Sequence, residues 1–151
     1  MSSQVLTPQP FLKPALTAWF RLLRGQADAR RSVDAELRAA HGLTVVGYEA
    51  LLLLSEADER ALRRIDLARG LGLTASGVTR LLDGLERAGL VEKRTCSEDA
   101  RVTYAALTDA GAERLQRATC SHVGSARALF EDRYSEEELE TLAELLGRLP
   151  Q

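Results

Sequence analysis

The most constraining feature of this chain is the order of signals between residues 65 and 107. A short apolar-patterned stretch, Ile65 to Gly70, leads through Gly72 into a longer one from Thr74 to about Ala88. Thr74 stands at a cap position, where its hydroxyl can accept from the free N–H groups of a first helical turn. Val78, Leu81, Leu82 and Leu85 recur on one side of that helix, so one face is buried and the other is free. Gly89 supplies the left-handed residue that ends it. Leu90 to Arg94 and Val102 to Leu107 then read as two strands, joined by the polar tip Thr95-Cys96-Ser97-Glu98-Asp99-Ala100-Arg101. Short helix, glycine turn, longer helix and hairpin in succession predict a helix-turn-helix carrying a β wing.

The flanks read as helices. Residues 1–10 are expected to be disordered. Pro14 suits a first helical turn, and Leu12, Leu16, Trp19, Phe20 and Leu23 follow at helical spacing, with a stop at His41-Gly42. Thr44 caps a second helix from Val45 to about Glu56, whose Leu51–Leu54 run reads as buried. Ala57-Asp58-Glu59 is a polar break, and Ala61-Leu62-Arg63 a short strand. Thr108 caps a long helix to about Asp132. Ser135 and Glu138 form a capping box before a last helix carrying Leu139, Leu142, Leu145, Leu146 and Leu149. The predicted fold class is mainly α with a small β wing. Residues 1–42 form an N-terminal arm and dimerisation helix, 43–107 the winged helix-turn-helix, and 108–151 the C-terminal dimerisation helices.

Composition narrows the function. The net charge of −2 hides an asymmetry: residues 60–101 hold nine basic and six acidic groups, and the rest of the chain is acidic. A positive centre between acidic ends fits a polyanion. No apolar run approaches the roughly 18–20 residues of a membrane span, and the proline-bearing N-terminus lacks the basic start of a signal peptide, so a cytoplasmic protein without a membrane partner is expected. Cys96 and Cys120 match no zinc or haem spacing, and His41 and His122 add no cluster, so neither metal nor cofactor is expected. No nucleophile–base pair or phosphate-cradling loop stands out, and the chain does not read as an enzyme.

From Leu67 to Val91, and again at Asp99-Ala100-Arg101 and Leu107-Thr108-Asp109-Ala110-Gly111, the sequence resembles the MarR family of bacterial transcription regulators. The likeness covers roughly Ala15 to Leu149. The helical stretch fits many winged-helix families, whereas the Asp-x-Arg tip followed by Leu-Thr-x-x-Gly is much more specific. Two positions depart from the family's pattern. Ile65 stands where a Ser or Thr often caps the short helix, and Gly84 replaces the usual basic residue in the middle of the recognition helix, which lowers helix propensity by about 1 kcal/mol relative to Ala.

The expected partner is double-stranded DNA. The N-terminal turns of the Thr74–Ala88 helix enter the major groove, with Thr74, Ser76, Thr79 and Arg80 outside the apolar stripe. Arg80 is the expected base contact, since Arg reads guanine bidentately. Arg101 at the wing tip reaches the adjacent minor groove, and Lys93 and Arg94 on the first wing strand add phosphate contacts. The resemblance implies that Asp99 orients a nearby Arg; the alternative is that Asp99 bonds its own turn.

The apolar stripes of the first and last helices exceed what one small winged helix can cover, which together with the resemblance predicts a homodimer on a pseudo-palindromic operator. Relatives imply repression and release by a small aromatic or phenolic effector. Trp19, Arg21 and Tyr48 are the candidate ligand residues, with core packing the stronger expectation for Trp19. Two other functions remain open: a thiol-based redox sensor using Cys96 and Cys120, and a winged helix that binds protein.

Overall fold

The structure, a computed structural model, describes residues 13–95, 99 and 101–149. The chain divides into two compact units, the first ending at Ser32 and the second running from Val33. Helix α1 (Pro14–His41) begins in the first unit and ends in the second.

In the first unit, α1 is a single helix with its side chains open. Leu16, Trp19, Phe20 and Leu23 are all exposed, Trp19 by 53%. The expectation that Trp19 packs into a core is therefore not met within this chain. A single helix cannot bury its own side chains, and only another surface can cover this stripe.

The second unit holds the core. Gly42 takes φ 64°, the left-handed value that ends α1. The Arg114 guanidinium donates to the carbonyl of His41 at 2.5 Å, satisfying one of the end carbonyls of that helix. Thr44 then caps α2 (Val45–Glu56), accepting from the Gly47 N–H at 2.8 Å. Leu51 and Leu54 of α2 are fully buried, and the helix packs on β1 (Ala61–Arg63), α3 (Arg64–Gly70), β3 (Thr103–Leu107) and α5 (Asp109–Glu131). A turn of 3-10 helix at Asp58–Arg60 follows, with Glu59 and Arg60 both at positive φ. Next come β1 (Ala61–Arg63), α3 (Arg64–Gly70), α4 (Ala75–Arg87), β2 (Val91–Thr95), β3 (Thr103–Leu107), α5 (Asp109–Glu131) and α6 (Glu136–Leu146).

The three strands form an antiparallel sheet in the order β1-β3-β2, with Tyr104 opposite both Arg63 and Arg94. Helix α3 starts at Arg64, one residue earlier than expected, and its cap residue Arg63 makes no side-chain cap bond. The first turn instead carries Asp66, 3.5 Å from Arg63 and 3.8 Å from Arg69, a carboxylate suited to a helix N-terminus. Strand β2 begins at Val91 because the Leu90 N–H is held by the Leu85 carbonyl at the end of α4.

The link from β3 to α5 explains the Leu-Thr-x-x-Gly pattern physically. The Thr108 hydroxyl donates to the Gly89 carbonyl at 2.7 Å and accepts from the Gly111 N–H at 3.0 Å. One side chain thus caps α5 and ties it to the turn that ends α4. Gly111 is buried, and a Cβ there would overlap the Leu90 carbonyl and lie 2.7 Å from Leu107 Cδ1. At the far end, Ser135 and Glu138 form the expected capping box of α6, which buries none of its residues. No single helix among the described residues is long and apolar enough to cross a membrane.

Candidate nucleic-acid interface

Helix α4 has the sharpest division between its faces. Val78, Leu82 and Leu85 are buried, while Thr74, Ala75, Ser76 and Arg80 are exposed. Thr74 spends its oxygen on the cap, accepting from the Gly77 N–H at 3.1 Å, and sits 3.2 Å from the Ser76 hydroxyl. The Thr79 hydroxyl donates to the Ala75 carbonyl at 2.8 Å, so towards a ligand it offers lone pairs and no proton. Among the described residues no carboxylate pairs with Arg80.

At the wing tip, two hydrogen bonds centre on Asp99. Asp99 Oδ1 accepts from the Arg101 N–H at 2.9 Å, and the Asp99 carbonyl accepts from the Val102 N–H at 3.0 Å. This is the turn-forming alternative for Asp99. The Arg101 side chain is exposed, and among the described residues no carboxylate pairs with it.

The cations on the wing strand are engaged. Lys93 Nζ lies 3.0 Å from Glu86 Oε2 and 3.5 Å from Asp83 Oδ1, both on α4. The hydrogen bond and charge of Glu86, and then Asp83, push the Lys93 ammonium above its ordinary pKa. Arg94 Nε donates to Glu92 Oε1 at 2.9 Å. Among the described residues, Arg80 and Arg101 thus have no carboxylate partner, whereas Lys93 and Arg94 are already paired with carboxylates. The Arg94 partner Glu92 lies two residues away on the same strand, whereas nothing in the order of residues along β2 signals the partners of Lys93 on α4.

The candidate effector residues fall in different units. Trp19 and Arg21 lie in the first, both exposed. Tyr48 lies in the second, buried at 7% exposure, with its hydroxyl 3.1 Å from Thr119 Oγ1 and its ring centroid 5.0 Å from that of His122. Cys96 is outside the described residues, and Cys120 is exposed on α5. Among the described residues no group of His, Cys, Asp and Glu could hold a metal ion.

Comparison with known proteins gives consistent results. Residues 41–102 match a model of the MarR family. Over 111 residues, 74% of the chain, the sequence is 35% identical to the HTH-type transcriptional repressor YetL of Bacillus subtilis and spans 66% of YetL's own length. The fold is similar to that of Sco5413, a MarR family transcriptional regulator from Streptomyces coelicolor, with TM-score 0.75 and 31% identity over 88% of this chain and 90% of the other. It is also similar to Sco3205, a MarR family transcriptional regulator from the same organism in complex with DNA, with TM-score 0.78 and 29% identity over 93% and 89%.

Proposed function

The chain belongs to the MarR family, and from that membership we propose that it is a sequence-specific DNA-binding transcription regulator working in the cytoplasm as a homodimer. The observation that carries the reading is a pair of exposed cations with no carboxylate partner among the described residues, Arg80 on the open face of α4 and Arg101 at the wing tip, on one winged frame. The first turns of α4 enter the major groove, where Ser76 and the acceptor-only Thr79 meet base edges or phosphates and Arg80 reads guanine. Arg101 enters the neighbouring minor groove, held by the turn that Asp99 closes. Thr74 contributes by fixing the N-terminus of the helix, and Arg94 by a sequence-blind phosphate contact.

Residues 43–107 form the DNA-binding part, and 1–42 and 108–151 the dimerisation helices. The exposure of Leu16, Trp19, Phe20, Leu145 and Leu149 supports a second copy as their cover. A two-fold dimer sets its recognition helices about 34 Å apart, which requires a pseudo-palindromic operator. Repression is the proposed outcome, in keeping with the name of YetL. A small aromatic or phenolic anion releases the DNA by binding better to the dimer that cannot span both half-sites. The groove of about 370 Å³ lined by Ser55, Arg60, Leu115, Thr119 and Cys120 supports a ligand of that size beside Tyr48's partner Thr119.

A fluorescence-anisotropy titration of inverted-repeat duplexes from the DNA beside the chain's own gene tests the reading. Affinity should fall steeply with salt, because each neutralised phosphate releases counterions. Arg101→Ala should weaken binding about tenfold with the dimer intact, and Arg80→Ala should flatten the ranking of operator variants. Tight binding to a protein target with no salt-sensitive DNA binding would refute it.

A further inference from the structure

The second half of α4 is unusual for a helix meant to lie against phosphates. Asp83 and Glu86 carry carboxylates whose side chains are 48% and 38% exposed. Gly84 between them adds no charge, and the Arg87 guanidinium donates to the backbone carbonyl of Asp83 rather than to its carboxylate. Unshielded, two carboxylates on this helix would repel the DNA that its first half approaches. The group that meets them comes from the wing: Lys93 on β2 places its ammonium 3.0 Å from Glu86 and 3.5 Å from Asp83.

We propose that Lys93 is a positioning residue, which screens Asp83 and Glu86 and braces the wing strand against the recognition helix, and is not a phosphate contact. The inference rests on the DNA-binding reading and refines it. An ammonium has three donors in a compact head, and here two carboxylates converge on it. An exposed ion pair of this kind adds little to folding stability. Its effect lies in binding, where it masks like charge and fixes the angle between the two elements that must engage adjacent grooves.

The test is a double-mutant cycle read as operator affinity across a salt series, using full-length K93M, D83N/E86Q and the combined variant, with K93R as the conservative control. Because all the groups are exposed, each variant should keep the native circular dichroism spectrum and melt within about 0.5 kcal/mol of the native chain. K93M is expected to weaken binding about tenfold in the native background and less than about twofold when Asp83 and Glu86 are already neutral. K93R should restore most of the loss, and D83N/E86Q alone should bind more tightly than the native chain.

If K93M costs the same affinity in both backgrounds and lowers the salt slope by about one in each, Lys93 is a phosphate contact and the inference is overturned. A cost below about twofold in the native background overturns it equally. A native chain that binds no duplex at any salt overturns the DNA-binding reading itself, an outcome distinct from either.

Discussion

The centre and the ends of this molecule carry the same kind of pattern and meet different fates. In the centre, Leu51, Leu54 and Leu67 are fully buried by the sheet and by neighbouring helices. At the ends, Trp19 and Phe20 of α1 and Leu145 and Leu146 of α6 stand open, and α6 buries nothing. An apolar stripe at helical spacing states that a face will be covered; it does not state by what. The central stripes find their cover within the chain. The terminal ones are left for the second copy proposed above.

The largest contrast should come from the same substitution made in both regions. Leu51→Ala opens a cavity at a site with no exposure and should cost about 2–5 kcal/mol, by the same amount at every protein concentration. Leu145→Ala removes a side chain that is 50% exposed and should leave the concentrated protein nearly unchanged. Its effect should appear on dilution, as a melting temperature that falls more steeply with concentration and a dimer that dissociates earlier in sedimentation. A Leu145→Ala loss that is independent of concentration would break the comparison.

A second contrast lies along one helix. Gly111 and Gly124 both belong to α5, yet a Cβ at Gly111 would overlap the Leu90 carbonyl whereas one at Gly124 meets nothing within 4 Å. The Leu90 oxygen cannot easily retreat, since it accepts from the Thr108 N–H at 3.1 Å. Gly111→Ala should therefore destabilise by about 1–3 kcal/mol through overpacking. Gly124→Ala should stabilise the isolated chain by about 0.5–1 kcal/mol through helix propensity. Denaturant titrations of both variants would measure the difference. A Gly124→Ala variant that weakens the dimer would show that a second chain approaches that face closely, which would sharpen the comparison.

Where local chemistry decides the structure, the sequence is legible. Thr44, Thr74, Thr108 and Ser135 each cap the helix expected of them, and α2 runs over the expected Val45–Glu56. The early start of α3 escaped because its first turn is supported by Asp66 with Arg63 and Arg69, and not by a Ser or Thr cap. Glu59 and Arg60 at positive φ carry no signal either, because neither residue type favours that region and only the surrounding fold holds them there. In the candidate site, the exposure of Arg80 and Arg101 followed from periodicity and turn chemistry. The pairing of Lys93 with two carboxylates on another element did not, since it depends on how β2 lies beside α4.

A similarly small effect is expected at Gly84, where the packed centre behaves like the open ends. Gly84 is exposed in the middle of α4, and a Cβ there would meet nothing within 4 Å. Among the described residues no turn or close approach requires a glycine, so Gly84→Ala should stabilise by about 1 kcal/mol on propensity alone and raise the melting temperature by a few degrees. Operator affinity then discriminates between two reasons for the glycine. If Ala leaves affinity and operator ranking unchanged, Gly84 is only a missing contact on a helix whose readout rests on Arg80 and the wing. If Ala raises stability but lowers affinity, the operator backbone comes close enough at Gly84 that even a methyl group is excluded, and the open face of α4 is a docking surface through its midpoint.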